Sequence, residues 1–202
     1  MILTTNFFAR DAIMVARKLL GKVLRVKYRK TWLAAIIIET EAYYLHDKAS
    51  HASLGYTAKR KALFMSPGTI YMYYSRGGDS LNVSCLGEGN AVLIKAGFPY
   101  VTVPTFAMMQ RLNPKRDHTM RSLEKLCAGQ TLLCKALGLK VRDWDQKQFN
   151  QKKFYIDDIG YYPQKIVCTK RLGIPSGRDE HLPYRFVDVK YAQFCTKNPL
   201  LT

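Results

Sequence analysis

The sequence predicts an α+β fold, a single compact domain over residues 1–202 with a curved, mainly antiparallel β-sheet flanked by helices. Three observations lead there. Strand-like segments crowd the first half, helix-period segments stand at the start and in the second half, and no repeat, low-complexity tract or linker divides the chain. With 202 residues, 48% of them hydrophobic, the chain can bury one good core and does not require two.

Residues 8–20 place Ile13, Ala16, Leu19 and Leu20 at helical spacing, and Gly21 follows as a C-cap, so a helix is predicted. Lys22 to Tyr28 alternates as a strand, a polar turn follows at Arg29-Lys30-Thr31, and Leu33 to Tyr44 is rich in β-branched and aromatic residues. These form an antiparallel pair. From Leu45 to Lys61 the apolar pattern fails, and a polar loop carries His46, His51, Lys59, Arg60 and Lys61. Pro67-Gly68 opens the strand TIYMYYS, and Gly77-Gly78-Asp79 is read as a break. Leu81 to Ser84 and Ala91 to Ala96 read as strands around Gly87-Glu88-Gly89-Asn90. Phe106 to Leu112 and Ser122 to Leu137 read as helices, residues 140–165 as loop, and Phe186 to Tyr191 as a closing strand.

Charge is the strongest global signal: 32 Lys and Arg against 15 Asp and Glu give +17. Such a field attracts polyanions, nucleic acid first among them, although a merely soluble basic surface is the plainer alternative. The cations are scattered rather than gathered on one amphipathic helix, which argues against a membrane surface. No stretch has the length of a membrane span, and the opening MILTTNFFARDAIMVARKLL lacks the order of a secretory signal, so an intracellular, soluble protein is expected. The five cysteines form no CxxC pair and their odd number disfavours a disulfide framework. Cys127 and Cys134, seven apart, are read as buried thiols on one helical face rather than as metal ligands.

The stretch IIIETEAYY, residues 36–44, drives an apolar run into two acids and two tyrosines. On a regular strand Glu39, Glu41 and Tyr43 share one side and Thr40 and Ala42 the other. A partly buried carboxylate next to another is a natural general base; a solvated strand exit is the commoner origin of such a pattern. Aromatic company shifts the balance. Tyr71 and Tyr73 share one face of the next strand, with Met72 and Tyr74 on the other, and flat aromatic walls accept nucleobases. The isoleucines then anchor a rigid strand whose end supplies an acid and an aromatic wall to a base-sized pocket.

These residues carry a resemblance. From Asn6 to Ala96 the chain resembles the alkyladenine (3-methyladenine) DNA glycosylases of the single-domain vertebrate and bacterial type, through NFFARDAIMVARKLLGKVL, ETEAY, a histidine in the loop that follows, FMSPGTIYMY and LNVS. LCAGQTLLCKALGL, RLGI (171–174) and PYRF (183–186) extend it over nearly the whole chain. The resemblance implies an intracellular monomer, in cytoplasm and nucleoid or in a nucleus, acting in base excision repair on double-stranded DNA. It would flip alkylated or deaminated purines such as 3-methyladenine, hypoxanthine or ethenoadenine out of the duplex and hydrolyse the N-glycosidic bond, with no metal and no cofactor. It implies that Glu41 activates the attacking water, that Tyr43 and Tyr73 stack the base, that His51 closes the pocket, and that Asn82 crowds a purine amino group to exclude guanine.

The sequence also departs from the pattern. Between Tyr73 and Asn82 it reads YSRGGDSL, one residue short and without the tyrosine that fills the vacated stack; Tyr74, or Arg76 on the Gly-Gly turn, takes that role instead. Lys95 stands in place of an arginine near the catalytic water, keeping charge without the planar fork. The loop from Tyr43 to His51 is also one residue short. Thr57, Lys59 and Arg60 fall where phosphate contacts are expected. A different class of reading is a non-catalytic basic module that binds RNA or DNA on a tyrosine platform, but such a binder gains nothing from ETEAY. An enzyme of small nucleosides is disfavoured by the charge.

Overall fold

A computed structural model describes residues 1–75 and 77–201. After a single turn, α1 (Thr5–Phe8), the Asp11 carboxylate accepts from the N–H groups of Ile13 and Met14 and starts α2 (Ala12–Leu19). That cap satisfies amides every helix start leaves open, and it places the helix four residues later than its apolar spacing alone would. Gly21, at φ +83, turns the chain into β1 (Val23–Tyr28), and a two-residue turn returns it along β2 (Thr31–Tyr43).

The segment 45–61 is not featureless loop: short 3-10 helices occupy Ala52–Leu54 and Ala58–Phe64. Then come β3 (Ile70–Ser75), β4 (Gly78–Ser84), β5 (Ala91–Pro99) and α3 (Val103–Leu112), the last opened by a Thr102/Thr105 capping box. The predicted break at 77–79 is narrower than expected. Ser75 pairs with Gly78, so Gly78 and Asp79 are already inside β4.

The helix predicted from Ser122 is likewise divided into a 3-10 turn at Leu123–Lys125 and α4 (Gln130–Leu137), because Gly129 sits at φ +147 between them. Cys127 and Cys134 are both buried as expected, but Cys127 lies outside the helix. Residues 140–165 contain α5 (Val141–Trp144) and β6 (Phe154–Asp157). The strand β7 (Ile166–Thr169) was not anticipated, and β8 (Arg185–Asp188) gives way to a 3-10 helix, Val189–Phe194, where Asp188 accepts from Lys190 N–H.

All strand pairs are antiparallel, in the order β3-β4-β5-β2-β1-β6, with β8 docked on β2 and carrying β7. The curled sheet turns around β2. Leu33, Ala35 and Ile37 enter the main core with α2, while Ala34, Ile36 and Ile38 enter a second cluster with Val187 and Ala192. With both faces covered, β2 reads as a continuous apolar run instead of an alternating one, which accounts for the isoleucines ahead of the acids. Thr40 Oγ1 donates to the Ala16 carbonyl at 2.9 Å and ties the strand to α2. Among the described residues no helix is long and apolar enough to cross a membrane.

Candidate active site

Glu41 lies at the carboxyl end of β2, opposite Leu93 of β5, and is wholly buried. Its Oε2 accepts from the Tyr43 hydroxyl at 2.7 Å, and its Oε1 accepts from Leu172 N–H at 3.1 Å with Lys95 Nζ at 3.2 Å. A bulge supplies the lysine. Thr40 pairs with Ile94 while Glu39 pairs with Ala96, so Lys95 is the extra residue of β5. Bulges of this kind re-aim a side chain, and here the result is a nearly buried ammonium on a buried carboxylate.

Glu39 does not share that wall. Its Oε1 accepts from Arg185 Nε at 2.6 Å, and its Oε2 accepts from the backbone and hydroxyl of Thr196 at 3.0 and 2.9 Å. The expected common face required a regular strand, whereas the β2–β5 register shifts on both sides of Glu39. Each acid therefore has its own cation, and the two are not a like-charge pair.

Next to Glu41 a cavity of about 280 Å³ opens between the ends of β2 to β5, the loop 49–54, the start of α4 and the segment 172–178. Tyr43, His51, Tyr71, Tyr73, Asn82 and Lys95 line it, so five of the expected site residues meet there with the lysine-held Glu41 behind them. Glu41 itself is not on the wall; Tyr43, Lys95 and Leu172, which hold its oxygens, are. The β3 alternation is as predicted, since Tyr71 and Tyr73 face the cavity, Met72 is core, and Tyr74 is 70% exposed.

Tyr43 is backed by Arg171, whose guanidinium carbon lies 4.6 Å from the ring centroid and 5.4 Å from that of Tyr184. Burial, and then the Glu41 charge, hold the Tyr43 phenol well above its usual pKa, so it serves as a fixed neutral donor. Arg171 also pairs with both oxygens of Asp47 and donates to the carbonyls of Ala42 and Asp179. Its Nε is the one buried side-chain polar atom left without a partner among the described residues.

His51 packs 4.5 Å from Tyr73, and its Nδ1 is 2.8 Å from the Tyr71 hydroxyl. Burial, with Arg60 and Arg178 nearby, lowers its pKa, while burial raises that of Tyr71. A neutral imidazole accepting from the phenol leaves Nε2–H as a donor. Asn82, 6% exposed, donates its amide to the Tyr71 carbonyl at 3.2 Å.

Outside the cavity, Thr57 and Lys59 are exposed at the start of the second 3-10 helix. Arg60 instead fastens the loop by donating to the carbonyls of Leu54 and Gly55 at 2.9 and 2.7 Å. Arg76 falls outside the described residues. Sequence reasoning passed over Leu172, Arg171, Arg178 and Gln130. The first two stand in the RLGI motif, which carries part of the resemblance without an assigned role.

The family model described as methylpurine-DNA glycosylase matches residues 6–191. A Pseudomonas aeruginosa protein named "Putative 3-methyladenine DNA glycosylase" is 59% identical over 202 residues, covering 98% of this chain and 84% of its own length. A protein of the same name from Pseudomonas syringae pv. tomato is 60% identical, covering 98% and 91%. One from Koribacter versatilis is 35% identical over 187 residues, covering 90% and 86%.

Proposed function

The chain belongs to the methylpurine-DNA glycosylase family, enzymes that hydrolyse N-glycosyl bonds in DNA, and on that premise we propose that it releases alkylated or deaminated purines through a water activated by Glu41. The carrying observation is the buried carboxylate, bound by Lys95, Tyr43 and Leu172 N–H, at the back of an aromatic cavity. At about 280 Å³ the cavity is near the small end of ligand pockets, roughly 300 Å³. It suits one base and not a strand.

Reaching it requires the nucleotide to leave the stack, at a cost of a few kcal/mol that is least for a weakly paired lesion. The everted purine lies between Tyr43 and Tyr73, with His51 Nε2–H as a donor at the mouth and Asn82 crowding a 2-amino group. Water enters beside Lys95 and Leu172. Of the two carboxylate oxygens, Oε1 is the one held by Leu172 N–H and Lys95 at 3.1 and 3.2 Å, and it takes the water that enters between them.

As the C1′–N bond breaks, its electron pair leaves with the base, the carboxylate offsets the positive charge developing on the sugar, and the water oxygen bonds to C1′ while its proton passes to Glu41. Alkylated purines leave readily because they already carry positive charge. Thr57 and Lys59 contact phosphate, Tyr74 at the exposed hairpin fills the vacated stack, and the enzyme acts as an intracellular monomer in base excision repair.

Glu41→Gln is isosteric and keeps the shape and one acceptor oxygen while removing the charge. It is expected to bind a lesion-bearing duplex as the unaltered protein does while base release falls by at least about a hundredfold, the scale of a lost general base. Turnover equal to the parent would remove Glu41 from the reaction.

A further inference from the structure

Gln130 has no part in the reaction as described, yet it stands on the cavity wall. It is the first residue of α4, and it reaches the cavity because that helix crosses β4 at very short range. A Cβ on Gly78 would lie 2.7 Å from Cβ of Thr131, the next residue of the helix. The Gln130 amide nitrogen donates to Ser80 Oγ at 2.8 Å.

Asn82, two residues beyond Ser80 on the same face of β4, is anchored in the same way through its own amide nitrogen to the Tyr71 carbonyl. Both carboxamides thus have a donor side turned to the protein. Among the described residues, no protein donor meets Oδ1 of Asn82 or Oε1 of Gln130. The same lining also holds donors, Lys95 Nζ and, with Nδ1 accepting from Tyr71, the Nε2–H of His51.

We infer that Gln130 is a specificity-determining residue: while Asn82 crowds the 2-position, the Gln130 carbonyl is an acceptor that favours everted purines presenting an N–H group at the 6-position, above all cationic 6-amino purines. The inference rests on the reading that the cavity receives an everted purine. A methylated adenine carries an exocyclic amino group whose N–H donors are strengthened by the positive ring. An ethenoadenine has that nitrogen closed into a second ring and offers no N–H there, so it leaves the Gln130 oxygen stripped of water and unpaired. A site built to bond a donor rejects the analogue that lacks it.

Gln130→Leu keeps the volume and removes the acceptor. Gln130→Glu keeps acceptor oxygens and lets the Ser80 hydroxyl donate to them. Release of 3-methyladenine from methylated duplex and of ethenoadenine from a defined duplex is measured as kcat/KM, with duplex binding replacing release where ethenoadenine leaves too slowly to follow.

The expected result for Gln130→Leu is a fall of roughly tenfold in the ratio of 3-methyladenine to ethenoadenine, the scale of one hydrogen bond, at an unchanged melting temperature. Gln130→Glu is expected to restore the ratio. An unchanged ratio in Gln130→Leu, or an equal loss in Gln130→Glu, overturns the acceptor role while leaving the glycosylase reading intact. Release of neither base by the unaltered protein overturns that reading, and this inference with it.

Discussion

Arg171 fastens two loops and an aromatic wall at once. It pairs bidentately with Asp47, donates to Ala42 O at 3.2 Å and Asp179 O at 3.3 Å, and covers the back of the Tyr43 ring. The adjacent Leu172 then presents its N–H to Glu41, so the same segment that backs the Tyr43 ring also orients the acid. Lysine at 171 would keep the charge and lose the fork. Arg171→Lys is therefore expected to destabilise the fold by about 3 kcal/mol, the cost of breaking a buried pair, as read by urea denaturation. Lesion affinity should fall more than affinity for undamaged duplex, because Tyr43 loses its backing; equal losses would reduce Arg171 to a structural clamp. None of this was legible in the local sequence. Glu41 and Tyr43 are two residues apart and announce themselves, whereas Arg171 and Asp47 are 124 apart and meet only once the chain has folded.

Between the elements, small irregularities aim the side chains. The bulge at Lys95 brings a cation onto Glu41, and the matching irregularity at Glu39 sends that acid to Arg185 instead. Period-two reasoning located both acids on one strand and could not see either shift, because a bulge leaves no mark in the alternation. Strand β3, with a regular ladder against β4, was read correctly residue by residue. The Gly-Gly pair shows the same limit. Gly77 at φ +77 has a conformational reason that composition reveals, but Gly78 is small because α4 lies over it, and packing partners from residue 130 onward are invisible at residue 78. Gly78→Ala places a methyl 2.7 Å from Thr131 Cβ, part of a helix that cannot simply swing aside. A loss of about 1–3 kcal/mol is expected in urea denaturation, as for overpacking elsewhere. A neutral result would mean that α4 shifts freely on β4.

Across the whole molecule, at least a third of the 15 acids are set against cations of the fold. Glu39, Glu41, Asp47, Asp79 and Asp158 all face a cation within the structure and are at most 17% exposed. These pairs cancel internally, so the excess of +17 resides on the remaining surface, which is the arrangement that draws in a polyanion over a distance. Two contributions to DNA affinity should then separate experimentally. Phosphate contacts release counterions, so log K should fall with log salt by about 0.9 per neutralised phosphate, whereas the proposed occupant of the cavity is an uncharged or singly charged base without phosphate. Anisotropy titrations from about 50 to 200 mM salt should show a steep common slope for damaged and undamaged duplexes, with their affinity ratio nearly constant. On that account Lys59→Gln lowers the slope by about 1 and leaves the ratio alone. Tyr43→Ala does the reverse, collapsing the ratio with the slope unchanged, since stacking contributes about 1–3 kcal/mol per base and involves no counterion. A flat salt response, or a Tyr43→Ala protein that weakens on both duplexes equally, would break the division between a charged surface that finds DNA and a neutral aromatic cavity that recognises the lesion.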